Sequence, residues 1–171
     1  MTTYAAFLRG VNVGGVNLKM AEVASALTEA GFANVRTILA SGNVRLESSA
    51  KAAAVRKKAE ATLREAFGYD AWVLVYDIDT VRAVVDAYPF EREVEGYQSY
   101  VTFVADEAVL DELAKLGKGA DERISRGEGV VYWQVPKGAT LDSTIGKTMG
   151  KPRYKSSTTT RNLRTLDKVL R

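Results

Sequence analysis

Residues 34–48, NVRTILASGNVRLES, hold two β-type runs, NVRTILA and NVRLES, on either side of Ser41 and Gly42. Turn residues between two such runs predict an antiparallel hairpin. This hairpin decides the fold, because of what flanks it. Upstream, TYAAFLR (3–9) reads as a strand, and MAEVASALTEAGF (20–32) repeats Met20, Val23, Ala24 and Leu27 at helical spacing before Gly31. Downstream, Ala52, Val55, Ala59, Leu63 and Phe67 form one apolar stripe with Lys and Arg opposite, and Gly68 ends that helix before the strand AWVLVYD (71–77). The order β-α-β-β-α-β is the split βαβ, ferredoxin-like arrangement. Two right-handed crossovers then place both helices on one face of an antiparallel sheet.

The second half echoes this order without repeating its residues. After the helix IDTVRAVVDA and the turn at Pro89 come a strand (SYVTFVA), a helix (EAVLDELAKLG), and a hairpin of DERIS with GVVYWQVP around Gly127 and Gly129. The expected fold class is therefore α+β, two ferredoxin-like units with antiparallel sheets plus a C-terminal helical segment. The units expected are residues 1–77 and 78–140, with a basic helical segment, 141–171, packing on them. No Gly/Ser linker separates the sheets, so they are expected to pack together.

Composition narrows the function classes. The chain has 171 residues, 46% of them hydrophobic and 26% charged, enough for a sizeable core in one domain or two small ones. No apolar run approaches the ~18 residues of a membrane span, and the N-terminus lacks a basic start followed by a long apolar segment. The cytoplasm is the expected compartment, with no membrane partner. Cysteine and histidine are both absent. A thiolate nucleophile, a disulfide framework, a His/Cys zinc site and a histidine-based triad are excluded, because each needs a missing side chain. No cofactor or metal is implied.

In a ferredoxin-like unit the first strand ends at the same sheet edge as the hairpin that joins strands two and three. The glycine-rich stretch RGVNVGG (9–15) and SGN (41–43) should therefore meet. Arg9, Gly10, Asn12, Gly14, Gly15 and Asn17 would converge with Ser41, Gly42 and Asn43 where the first helix begins, and free backbone N–H groups at a helix start favour an anion. The plainer reading is that the asparagines satisfy a tight turn and Gly42 supplies a positive φ.

From Asp142 onward eight basic residues face two acidic ones, a net +6, whereas the whole chain carries +3. Such asymmetry suits phosphate groups or nucleic acid, or simply a solvated lysine-rich face. SSTTTRN (156–162) reads as a helix start, with Thr159 or Thr160 as the cap and Arg161 free to reach an anion; Lys155 joins that basic set. Three other motifs fail. LDSTIGKT (141–148) lacks the first glycine of a nucleotide-cradling loop, and GVNVGG lacks dinucleotide-loop spacing. Tyr132 and Trp133 point to opposite sides of one strand, so they form no stacking platform for RNA, and Trp72, Phe103 and Trp133 are expected in cores. The carboxylates Asp77, Asp79, Glu91, Glu93 and Glu95 read as solvated surface.

Leu8 to Gly15, Met20, Leu27, Gly31-Phe32, Val35 to Thr37, Ser41 to Val44 and Thr160-Arg161-Asn162 together resemble the bacterial family known as domain of unknown function 1697. The resemblance implies two ferredoxin-like α/β units and names no activity. Ala40 departs from the glutamine common before SGN, and Leu163 from the aromatic common after TRN. Three functions follow. The first is a binding module for a nucleotide or nucleic acid, with Arg9 and Arg161 or Lys155 on the phosphate and Asn12, Ser41 and Asn43 fixing orientation. The second is a histidine-independent transferase or hydrolase using the same pocket, with Ser41 or water as nucleophile and Lys147 or Arg9 stabilising charge. The third is a protein-interaction module.

Overall fold

The computed structural model describes residues 1–11, 16–92, 94–116, 122–138, 148 and 151–171. The chain divides into two compact units, residues 1–82 with 168–171, and residues 83–167.

The first unit runs β1 (Thr2–Leu8), α1 (Met20–Glu29), β2 (Ala33–Ile38), β3 (Asn43–Ser48), α2 (Ala52–Phe67) and β4 (Val73–Asp77). Its sheet has the order β2-β3-β1-β4, antiparallel throughout, as the split βαβ order requires. Period-two alternation sends Tyr4, Ala6, Leu8, Val44, Leu46 and Val73 to the helical side, where they meet Val23 and Leu27 of α1 and Val55, Ala59 and Leu63 of α2. The opposite face is also buried at its centre, since Ala5, Phe7 and Leu74 are shielded from solvent. Asp77 ends β4 and caps α3 (Ile78–Asp86), accepting from the Thr80 amide at 2.8 Å and the Thr80 hydroxyl at 3.0 Å. That carboxylate is an N-cap, with a defined structural task.

The second unit runs β5 (Tyr97–Val104), α4 (Glu107–Ala114), β6 (Arg123–Arg126), β7 (Val130–Pro136), a 3-10 turn (Pro152–Tyr154) and β8 (Thr158–Asn162), which leads into α5 (Leu163–Leu170). Its sheet order β6-β7-β5-β8 repeats that of the first, antiparallel again. Leu110 and Leu113 of α4, with Tyr154, cover Val131, Trp133 and Val135.

Here the structure corrects one expectation. SSTTTRN is not a helix start: Thr158–Asn162 is the fourth strand, paired with β5 from Val104↔Thr158 to Tyr100↔Asn162. Three successive β-branched threonines are stiff at χ1 and fit a pleated surface better than a helix, and β5 would otherwise present an open edge. Helix α5 starts at Leu163 and is capped by Asn162, whose Oδ1 accepts from the Arg164 amide at 2.9 Å. Its Leu163, Leu166 and Val169 are buried, as the apolar stripe requires. Phe103 and Trp133 are core residues, but Trp72 is only half-buried and lies against the Arg64 guanidinium, 4.8 Å from the ring centroid.

Candidate anion site at the mouth of the first unit

The first unit brings the end of β1 and the β2–β3 hairpin together, as its topology demands. Successive amides at the end of β1 turn to opposite neighbours: the Leu8 N–H donates to the Gly42 carbonyl at 2.8 Å, and the Arg9 N–H to the Trp72 carbonyl at 3.0 Å. Helix α2 holds that second partner in place. Arg64 stacks on Trp72 and donates to the Ala71 carbonyl at 2.9 Å, and the Glu60 carboxylate accepts from the Val73 amide at 2.9 Å.

Gly42 is required by both backbone and space. Its φ is +91°, and a Cβ there would lie 2.7 Å from Val11 Cγ2 and 2.9 Å from Leu8 Cβ. Asn43 is fully buried and uses its amide inside the hairpin, donating to the Ile38 carbonyl and to Ser41 Oγ, each at 2.9 Å. Asn43 and Ser41 therefore hold the turn that presents the loop. Leu39 at the hairpin's start is about half exposed (47%) and has φ +60°, a conformation unusual for a side chain of its size.

Arg9 is half-buried beside this junction, and burial lowers its pKa from the ordinary arginine value because desolvation disfavours the charged form. Gly10 is exposed with φ +74° and open space around it. Val11 and Val16 form a parallel bridge at the base of the loop. Asn12, Gly14 and Gly15 lie outside the described residues. Asn17 is exposed, two residues before the N-cap of α1. That N-cap is Lys19, in extended conformation, and its side chain makes no capping hydrogen bond.

The remaining predicted residues belong to the second unit. Arg161 was expected to reach outward, but it is buried and one guanidinium nitrogen donates to Thr159 Oγ1 and the Thr160 carbonyl, each at 2.8 Å. The Thr160 and Thr102 hydroxyls pair at 2.8 Å, and Trp133 Nε1 donates to Thr102 Oγ1 at 2.9 Å. Asn162 donates to Gln98 Oε1 at 2.9 Å while capping α5. Of this set only Lys155 is exposed. Of the enzyme's would-be parts, Ser41 accepts from Asn43, and Lys147 lies outside the described residues.

The sequence reading missed two features. One is the N-cap of α1, whose side chain makes no capping hydrogen bond, which was legible in Lys19 standing where Ser, Thr, Asp or Asn would cap. The other is the pairing of Arg36 with Arg45 across β2 and β3, which needed the register. No helix among the described residues is long and apolar enough to cross a membrane.

No curated protein matches the chain. Among solved structures it is similar to the conserved bacterial protein SP0830 from Streptococcus pneumoniae, with 24% sequence identity, a TM-score of 0.81, and alignment over 99% of this chain and 96% of that one. That likeness supports the paired ferredoxin-like architecture. The family model described as protein of unknown function (DUF1697) matches residues 1–132, so the chain belongs to this family.

Proposed function

We propose that the first unit is a binding module for a phosphate-bearing ligand, a nucleotide or nucleic acid, taken up where the Arg9–Asn17 loop and the Ser41–Asn43 hairpin meet the start of α1. The observation that carries this reading is the missing cap. At the same place in the second unit, α4 is capped by Asp106, whose carboxylate accepts from the Ala108 and Val109 amides at 2.8 and 3.3 Å. In the first unit no side chain of the N-cap residue supplies that negative charge, which a ligand phosphate matches by charge and by hydrogen bonding. The half-buried Arg9 adds a cation whose interaction with an anion strengthens in a partly desolvated setting. The proposed setting is the cytoplasm, which the lack of cysteine favours.

The test is fluorescence anisotropy with labelled single-stranded and duplex RNA and DNA across a salt series, beside a panel of nucleotides. Binding that Arg9→Gln weakens by about tenfold is the expected result. A steep fall with salt then identifies a polymer ligand, and a shallow one a nucleotide. Absence of binding across both sets at low salt would falsify the reading.

A further inference from the structure

On the non-helical face of the first sheet, away from the glycine loop, Arg36 of β2 and Arg45 of β3 are direct cross-strand partners. Like charges directly opposite destabilise a sheet, so their retention calls for a compensating group. Part of it is internal. Arg45 donates to the Val169 carbonyl at 2.8 Å and Arg36 to the Arg171 carbonyl at 3.2 Å, so both guanidiniums lie at the C-terminal end of α5, the negative end of its dipole. A third cation adds to the excess, because Arg82 of α3 depresses the Arg45 pKa by its charge, as Arg36 also does, after the larger effect of burial.

Glu47, on the same strand as Arg45, works in the opposite direction on Arg45. Its carboxylate is already engaged, accepting from Asn34 Nδ2 and from Thr3 Oγ1. Arg36, Arg45 and Arg82 thus face the Glu47 carboxylate and the main-chain oxygens at the end of α5. Arg36 and Arg45 border an open groove of about 320 Å³, lined also by Thr3, Asn34 and Glu47. A guanidinium carries five N–H donors in a planar fork, and these two arginines each place one hydrogen bond on α5. Donors remain for a second acceptor in the groove.

We infer that the Arg36–Arg45 groove is a second anion site, selective for a doubly charged phosphate group, free or as a small monoester, and independent of the glycine-loop site. The several oxygens of a phosphate group can accept from both forks at once, since Arg36 and Arg45 are direct cross-strand partners. A monovalent ion such as chloride cannot bridge them in this way.

The experiment is a 1H–15N titration that follows the arginine Nε–Hε signals of the full chain. Inorganic phosphate is added in one arm and glycerol 3-phosphate in another, against chloride at matched ionic strength. Saturable shifts of the Arg36 and Arg45 signals in the phosphate arms, with none in chloride, are expected; the tighter arm shows whether the natural ligand is free phosphate or a monoester. Arg36→Gln should weaken binding by about tenfold, and Glu47→Gln, which removes the opposing charge, should tighten it several-fold. Glu47→Gln keeps the proposal open to refutation even if loss of Arg36 disturbs α5. Arg9→Gln should leave these shifts unchanged. Signals that fail to move, that move equally in chloride, or that lose their response with Arg9→Gln overturn the inference; the last result leaves the glycine-loop site standing.

Discussion

The two units share a sheet order and even one hydrogen bond, yet they treat the mouth of the sheet differently. In each, the amide at the end of the first strand donates to a hairpin glycine carbonyl: Leu8 to Gly42 at 2.8 Å, Val104 to Gly129 at 3.0 Å. The connections that follow diverge. Val104 passes through Ala105 to Asp106, which caps α4 at once. In the first unit the N-cap of the helix after β1 is Lys19, eleven residues beyond Leu8, and the Lys19 side chain makes no capping hydrogen bond. The second unit closes its helix start with its own carboxylate. In the first unit the N-cap residue supplies no such acceptor, so shared topology does not make the two mouths equivalent.

The largest expected effect breaks the apparent equivalence of the hairpin glycines. Gly42→Ala should cost roughly 3 kcal/mol, lowering Tm by about 10 °C, because strained backbone and a close approach to Leu8 and Val11 act together. Gly129→Ala meets open space at φ +70° and should cost only ~1 kcal/mol. Equal losses on thermal unfolding would mean that crowding does not distinguish the two turns.

Next comes Asn43→Ala. Removing a buried amide leaves the Ile38 carbonyl without that donor, at about 2 kcal/mol in a denaturant titration. A loss much smaller than this would show that the hairpin does not depend on that amide.

The caps should respond with opposite signs. Asp106→Ala should destabilise by about 1 kcal/mol. Lys19→Asp, which gives α1 the kind of residue that α4 already has, should stabilise by roughly 0.5 kcal/mol and weaken nucleotide binding in the same protein. Stabilisation with unchanged binding would separate the ligand from the helix start.

The smallest effect at neutral pH belongs to Tyr69→Phe, which shows itself only through a dependence on alkaline pH. Burial raises Tyr69 and Tyr76 of the first unit from the usual tyrosine value of 10.0 to about 12. Between those values the unfolded chain releases protons that the native state retains, so stability falls as pH rises from about 10 to 12. The Tyr69 hydroxyl is buried with no hydrogen-bond partner among the described residues. Tyr69→Phe should therefore flatten part of this slope while changing stability little at neutral pH, which urea midpoints at pH 8 and 11 would reveal.

Much of this was legible in local patterns. Apolar periodicity marks α1, α2 and α4 because each buries one stripe, and Gly68 marks the end of α2 because only a residue free of a Cβ enters φ +67° without cost. The meeting of the end of β1 with the hairpin at Gly42 followed from topology alone. The Thr158–Asn162 strand was misread because Ser and Thr favour helix caps and strands alike, and only the free edge of β5 selects between them. Arg161 was misread for a related reason: charge in a sequence carries no depth, and strand pairing turned this side chain inward onto Thr159. Asn43 looked like a ligand contact because a buried turn and a binding loop call for the same amide chemistry.

By itself the sequence determined the element order, the split βαβ class of the first unit, and the exclusion of cysteine and histidine chemistry, since these depend on residue type and spacing along the chain. Only the tertiary structure decided that Thr158–Asn162 completes the second sheet, that Arg36 faces Arg45, and that α1 and α4 differ in their caps while sharing a topological place. These outcomes depend on strand register and on which polar groups find partners across the fold, quantities that local spacing does not encode.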